Sequence, residues 1–211
     1  MSKVKDMIAK RAAEELKEAS IVNLGIGIPT LVPNYLDNSD VVLHTENGLL
    51  GVTNVKEEEI DPNLVNAGKL PVGEAKGASY FNSADSFGMI RGRHVDVSIL
   101  GVLQVDQQGL IANWSIPGKN IIGVGGAMDL LAGSKKVIVT TMHTSKDGSS
   151  KIVPECTYPI TSIRSVDVII TDLAVFEVKN KKLICIEIMP GSSKEEIKQK
   201  TEAAFTFELK R

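Results

Sequence analysis

Ile21-Val22-Asn23-Leu24-Gly25-Ile26-Gly27-Ile28-Pro29 reads as a short strand that ends in two closely spaced glycines. Pro29 suits the first turn of a helix, which the pattern predicts over residues 29–36. Upstream, Val4, Met7, Ile8, Ala12 and Leu16 recur at three- and four-residue steps, the mark of an amphipathic helix. Downstream, residues 41–44 form a second short apolar strand that stops at the polar turn Thr45-Glu46-Asn47-Gly48. Strand, helix and strand in this order favour an α/β sheet with helices on its faces.

The rest of the chain continues the alternation. Residues 53–77, with Glu57, Glu58, Glu59 and several glycines, read as one long irregular stretch, which in a compact domain is usually functional. Asn82 or Ser83 is set to cap a helix running to about Ile90. Residues 95–105 are β-rich, residues 106–109 a turn, and residues 111–114 a brief strand. Gly123-Val124-Gly125-Gly126 precedes a helix over residues 127–131. Residues 136–142 and 166–172 are further strands. Residues 173–178 and 182–188 flank Asn180-Lys181 as a hairpin. A last helix is predicted over residues 192–204, with Ser192 or Ser193 as cap and Glu195 or Glu196 completing a capping box. No linker or repeat divides the chain, so residues 1–211 are expected to be a single domain.

Composition removes several function classes. Of 211 residues, 43% are hydrophobic and 24% charged, an ordinary globular mix. Acids outnumber bases 26 to 24, so no basic excess exists to grip nucleic acid or an anionic membrane. Aromatics are only 4%, too few for base-stacking platforms. The N-terminal stretch is broken by charges every few residues and does not read as a signal peptide. Other apolar runs are too short to span a bilayer. Cys156 and Cys185 form no CxxC pair, which argues against a disulfide framework or a cysteine zinc site and for a reducing cytoplasm.

Chemistry-bearing residues are few. Gly25-x-Gly27 follows a strand and opens a helix, a context suited to an anion. The dinucleotide fingerprint fails, because Thr30 stands where the third glycine belongs, as Met128 does after Gly123-x-Gly125. Tight turns and close packing explain such glycines equally well. Glu46 lies just past the carboxyl end of a strand, where open α/β sheets bind ligands. A carboxylate there serves as base, metal ligand or nucleophile, or is a plain turn acid. His44, His94 and His143 form no HxH or HxxxH pair and are expected to be hydrogen-bonded or exposed rather than metal ligands. There is no GxSxG elbow, and the segment from Ser83 to Ser86 reads as a cap. Trp114 is expected to anchor packing. Asn113 either binds substrate or braces a turn. Lys69, after Asn66-Ala67-Gly68, is either a surface lysine or part of a site.

Taken in order, the motifs resemble those of a known family. They are Asn23 to Pro29, Thr45-Glu46-Asn47-Gly48, Asn66-Ala67-Gly68-Lys69, and Ser86-Phe87-Gly88-Met89-Ile90-Arg91-Gly92. Leu100-Gly101-Val102-Leu103-Gln104-Val105-Asp106, Ala112-Asn113-Trp114, Pro117-Gly118-Lys119 and Gly123-Val124-Gly125-Gly126-Ala127-Met128-Asp129-Leu130 follow. This resembles the B (β) subunit of class I 3-oxoacid CoA-transferases along nearly the whole chain. The resemblance implies an α/β fold with an open, mixed, mostly parallel sheet and helices on both faces. It makes Glu46 the covalent nucleophile, with Thr45 in place of the family's serine. Gly25, Gly27, Ile28 and Pro29 would line the passage for the pantetheine arm. Lys69 would contact the CoA end, and Asn47 and Gly125 would belong to the same binding surface. Gly126, with Ala127 beside it, would supply an oxyanion-site amide, and Asn113 an active-site asparagine. One departure is Arg93, where the family usually has glycine; a lost positive φ there would alter the local geometry.

The implied reaction explains these residue types. A carboxylate attacks a thioester poorly in water, but fixed beside the carbonyl it gains effective concentration worth up to about 7–11 kcal/mol. One backbone oxyanion donor adds roughly 3–4 kcal/mol. No metal or redox cofactor is needed, since coenzyme A is a substrate. The resemblance also implies an A (α) subunit that completes the active site in an A2B2 assembly. Two other readings compete: an acyl-CoA thioester hydrolase on the same scaffold, and a non-catalytic nucleotide- or sugar-phosphate-sensing module. Thiol release without an acceptor would mark the former. Retained ligand affinity in Glu46→Ala without a covalent adduct would mark the latter.

Overall fold

The computed structural model describes residues 2–19, 21–36, 40–118, 121 and 123–210. Its strands are β1 (Ile21–Leu24), β2 (Val42–Thr45), β3 (Leu49–Thr53), β4 (Gly73–Tyr80), β5 (Val97–Gly101), β6 (Gln104–Asp106) and β7 (Ile111–Ala112). They continue with β8 (Lys136–Thr140), β9 (Ile152–Val153), β10 (Val168–Ile170), β11 (Ala174–Lys179), β12 (Lys182–Ile188) and β13 (Phe205–Phe207). The α-helices are α1 (Ser2–Ala13), α2 (Ser83–Arg91), α3 (Ala127–Gly133) and α4 (Lys194–Lys200).

One 10-stranded sheet runs in the order β13-β12-β11-β10-β8-β5-β1-β2-β3-β4. Its centre, β10-β8-β5-β1-β2, is parallel throughout. A parallel strand buried on both faces needs apolar residues of both parities. In β8, Val137 and Val139 join one core cluster while Ile138 joins the other. In β10, Ile169 takes the first side and Val168 and Ile170 the second. The first face carries α2, α3, α4 and a small sheet ordered β7-β6-β9, through Ile90, Leu130, Ile197, Val105, Ile111 and Ile152. The second face carries α1, through Ile8, Ala9 and Ala12, and the segment after β1, through Ile28 and Val32. Arg11 and Lys136 share Glu15, and Arg11 also reaches Glu187 at 2.8 Å, which ties α1 to the sheet.

Several expected elements form as read. Asn82 caps α2 by accepting from the Asp85 N–H at 2.9 Å, and Ser193 caps α4 by accepting from the Glu196 N–H at 3.1 Å. The β11–β12 hairpin turns on Asn180 (φ 51°) and Lys181 (φ 58°), two left-handed residues whose twist matches the strands. Others differ. The segment after β1 is a 3-10 helix, Ile28–Tyr35, with the i→i−3 bonds Thr30 N–H to Gly27 O at 3.2 Å and Leu36 N–H to Pro33 O at 3.4 Å at its ends and Pro33 inside it donating none. The stretch 53–77 is not wholly irregular: it holds a short 3-10 turn at Glu57–Glu59 and the start of β4, and β3 lies just before it. The last helix stops at Lys200, and the chain then returns to the sheet as β13 beside β12. The predicted β stretch 95–105 is split between β5 and β6 at Val102-Leu103. Lys119 of the Pro-Gly-Lys motif lies outside the described residues.

Arg93 resolves the question raised by its missing glycine. It takes φ 62°, so the left-handed turn is kept with an arginine in it. The Arg93 N–H donates to Ile90 O at 3.1 Å and the His94 N–H to Met89 O at 3.0 Å. This pair of bonds is a Schellman closure of α2, with the left-handed residue one place after Gly92.

Candidate active site

The chain runs outward from β1 in both directions: β2, β3 and β4 lie on one side, β5, β8 and β10 on the other. Ligands bind at the carboxyl ends of strands where such a reversal occurs. Gly25 follows β1, Glu46 follows β2 and Gly101 ends β5, so all three meet at that edge. The Gly25 N–H donates to Ile99 O at 2.8 Å, and a Cβ on Gly25 would lie 3.1 Å from that oxygen. A Cβ on Gly101 would lie 3.1 Å from Ile26 O. These two glycines let the strand ends close up as the floor of a cavity.

The cavity has a volume of about 530 Å³. Its lining includes Gly25, Ile26, Glu46, Ala67, Gly101 to Leu103, Asn113, Trp114 and the loop from Gly123 to Ala127. Of the residues singled out in the sequence, it therefore gathers Gly25, Glu46, Asn113, Gly125, Gly126 and Ala127. It does not gather Gly27, Ile28, Pro29, Asn47 or Lys69. Gly27 is exposed with φ 98°, while Ile28 and Pro29 are buried beneath, where Ile28 serves the core.

Glu46 is half-buried in the turn between β2 and β3. The turn is tight because Gly48, at φ 123°, leaves no room for a Cβ, which would overlap Phe81 O. The Asn23 amide donates to Glu46 Oε2 at 3.0 Å. On the other side, Gly126 packs against the same carboxylate arm, and a Cβ there would touch Glu46 Cγ and the Phe87 ring at 3.4 Å each. Gly126 is the N-cap of α3, so its N–H belongs to the start of that helix, where amides lack intrahelical partners.

The neighbours of Glu46 hold the adjoining loop. Thr45 Oγ1 donates to Asn47 Oδ1 at 2.6 Å and accepts from the Ala67 N–H at 3.0 Å. Asn47 Nδ2 donates to Val65 O at 2.8 Å. The hydroxyl that Thr45 shares with serine is thus put to use, and the Asn47 side chain braces the loop 65–69. In that loop Asn66 Oδ1 accepts from the Gly68 and Leu70 N–H groups. Lys69 sits exposed at φ 61°, an uncommon conformation for lysine. Asn113 is similarly committed. Its Oδ1 accepts from Thr161 Oγ1 at 2.8 Å and its Nδ2 points at Gly101 O at 3.5 Å, so it clamps the loop around Thr161 to the end of β5.

Three residues at this site have roles that the sequence does not reveal. Asn23 is fully buried in β1, and behind it lies His44, 3% exposed, whose Nδ1 is 3.1 Å from Asn23 Nδ2. His44 Nε2 is in turn 3.1 Å from Ser86 Oγ, itself fully buried in α2 rather than capping it. The ring stacks on Phe81 at 5.9 Å, and burial pushes its pKa down to about 4, so it is neutral near pH 7. The signal for Asn23 was a polar residue inside an otherwise apolar strand. His143 is also buried and bonded, between Thr171 and Thr201 at 3.0 Å each, while His94 is exposed. Among the described residues no group of three His, Cys, Asp or Glu is placed to hold a metal ion, and no helix is long and apolar enough to cross a membrane.

Comparison with known proteins shows the family and the fold. The coenzyme A transferase family model matches residues 5–200. The chain is 51% identical over 207 residues to the B-type subunit of succinyl-CoA:3-ketoacid coenzyme A transferase from Helicobacter pylori, covering 98% of this chain and 100% of that one. It is 52% identical over 202 residues to the β-subunit of acetate CoA-transferase from Haemophilus influenzae, covering 95% and 91%. The crystal structure of an acyl-CoA transferase apoenzyme from Escherichia coli O157:H7 superposes with a TM-score of 0.77 at 25% identity. That superposition covers 97% of this chain and 42% of the longer one.

Proposed function

Because this chain belongs to the coenzyme A transferase family, as a B-type subunit of the 3-oxoacid and acetate group, we propose that Glu46 carries CoA from one carboxylic acid to another. The observation that carries this reading is a carboxylate held by a buried amide inside a cavity at the carboxyl edge of a parallel sheet.

Glu46 attacks the thioester carbonyl of an acyl-CoA such as succinyl-CoA or acetyl-CoA. The carbonyl collapses with loss of CoA thiolate and leaves an acyl-glutamyl anhydride. The thiolate then attacks the glutamyl carbonyl and expels the first carboxylate, which leaves a glutamyl-CoA thioester. A second acid, acetoacetate or another short-chain acid, runs the sequence backwards and departs as its CoA ester. Each addition develops an oxyanion, which in this reading the Gly126 N–H, with Ala127 beside it, receives; the packing of Gly126 against the Glu46 side chain supports this role. Gly25 and Gly125 line the approach for the pantetheine arm and exposed Gly27 lies at its mouth, while buried Ile28 and Pro29 support that loop from beneath, Asn47 braces the neighbouring loop, and exposed Lys69 meets the CoA end. Asn113 contributes by shaping the cavity wall. Remote binding of CoA drives the reacting end into position.

Anhydride and thioester intermediates survive only if water is kept out. Ile26, which lines the cavity, is 69% exposed. Apolar residues bared at a reactive site call for a cover. An A (α) subunit, in an A2B2 assembly, supplies it in this reading, with residues 1–211 as one domain of a cytoplasmic enzyme.

The test is intact mass of the complex of the chain with its co-purified partner after incubation with acetoacetyl-CoA or succinyl-CoA. A CoA adduct on Glu46, discharged by added carboxylate and missing in Glu46→Gln, is the expected result. A stable complex that binds CoA yet forms no adduct overturns the nucleophile.

A further inference from the structure

We propose that His44 and Ser86 are positioning residues: through Asn23 they fix which atoms face Glu46 and so hold its carboxylate in the attacking pose. This rests on the reading of Glu46 as nucleophile.

The argument is an inventory of protons. Asn23 Nδ2 has two hydrogens and three neighbours: Glu46 Oε2 at 3.0 Å, His44 O at 3.3 Å and His44 Nδ1 at 3.1 Å. A carboxylate and a carbonyl are acceptors only, so the nitrogen of the amide must be the atom that faces them. It follows that His44 Nδ1 accepts as well and carries no proton. The ring proton of neutral His44 is then on Nε2, 3.1 Å from Ser86 Oγ, which receives it. Ser86 Oγ anchors the His44 ring and takes its Nε2 proton, the bare Nδ1 admits only the nitrogen side of the Asn23 amide, and the amide orients Glu46.

The alternative arrangement shows what the chain of bonds prevents. If His44 carried its proton on Nδ1, the Asn23 amide would turn its oxygen to meet it. That oxygen would then face Glu46 Oε2 and repel it. Packing does not decide between the two orientations, because an amide and its flipped form have the same shape. A second observation points the same way. Asn23 Oδ1 is buried with no hydrogen-bond partner among the described residues. An unsatisfied buried oxygen is costly, and an apolar residue in β1 would avoid it. Asn23 is therefore needed for its N–H groups.

The experiment uses the complex of the full chain with its partner subunit and succinyl-CoA as the probe. The rate of CoA-adduct formation on Glu46 is measured together with KM for succinyl-CoA. Ser86→Ala and His44→Leu are expected to slow adduct formation roughly 10- to 100-fold, the size of one hydrogen bond to a charged group, with KM within about 2-fold of wild type. His44→Asn, which restores an acceptor near Nδ1, is expected to recover most of the rate. Adduct formation at the wild-type rate in Ser86→Ala and His44→Leu overturns the positioning role and leaves the nucleophile intact. A His44→Asn as slow as His44→Leu also overturns it. Absence of any adduct in the wild type overturns both. Should the variants fail to assemble, 15N NMR of the wild-type complex decides: His44 protonated on Nε2 supports the proposal, and on Nδ1 refutes it.

Discussion

Acid should weaken this fold well before its carboxylates titrate. Burial holds His44 and His143 at about 4, against an ordinary value of 6.5. His143 has Asp172 and Glu196 nearby, which favour its cation, and Lys200, which opposes it, but burial dominates. Below pH 6.5 the unfolded chain takes up two protons that the native chain refuses. Stability from these groups is therefore full above pH 6.5 and lost as the pH falls towards 4. At pH 5.5 the loss from the two histidines together is roughly 3 kcal/mol. Glu15 and Glu177, both held below the usual carboxylate range, weaken the fold in the same direction only at lower pH. Urea unfolding at pH 7.5 and 5.5 measures the difference, and a slope of about 2–3 kcal/mol/M turns it into a midpoint drop near 1 M. His143→Gln, which keeps hydrogen-bonding atoms without the titration, should halve the drop. A midpoint that stays put between the two pH values, or a drop that His143→Gln leaves whole, would refute the argument.

Other perturbations have equally definite outcomes. Gly133→Ala puts a methyl 2.1 Å from Ile90 O, where α3 crosses α2, and should cost about 3 kcal/mol or more by urea titration. Gly88→Ala, on the exposed side of α2 with nothing within 4 Å, should instead stabilise by about 0.5–1 kcal/mol. Arg93→Gly should raise stability by up to about 1 kcal/mol, since the left-handed turn costs arginine more than glycine, whereas Arg93→Val should lower it by about 1–2 kcal/mol. Thermal melts of the two Arg93 variants side by side give the sign directly.

What the sequence disclosed follows from how local each signal is. β1, β2 and the β11–β12 hairpin were legible because apolar runs and two turn residues lie within a few positions of one another. The Asn82 cap was legible for the same reason. β3, β4 and β13 were not, since short strands with glycine and charge become strands only by pairing with neighbours. Pro29 marks the helix start after β1, but nothing local in the sequence distinguishes a 3-10 from an α-helix there. At the site, Glu46 was singled out by its place after a strand together with the Thr45-Glu46-Asn47-Gly48 motif of the resemblance, and the cavity includes it. The roles of Asn23, His44 and Ser86 were not, because they depend on contacts across 21 and 42 residues. Asn113 shows the limit from the other side: the residue type fitted two roles, and only its bonds to Thr161 and Gly101 reveal the brace.

The strand order has a consequence for the time course of folding. β1 finds β2 across only 21 residues, but its other neighbour, β5, lies 75 residues on. Closing the longer loop costs about 1 kcal/mol more in chain entropy, and such non-local parallel pairing is slow. As the chain leaves the ribosome, β1, β2 and the Glu46 turn emerge long before β5. Until β5 arrives, one edge of β1 is an open ladder of backbone groups next to bare apolar side chains. Nascent chains stalled before residue 97 should therefore stick to one another or to chaperones, while chains released at full length should not. The order of strands that assembles the cavity is the same order that leaves the young chain vulnerable.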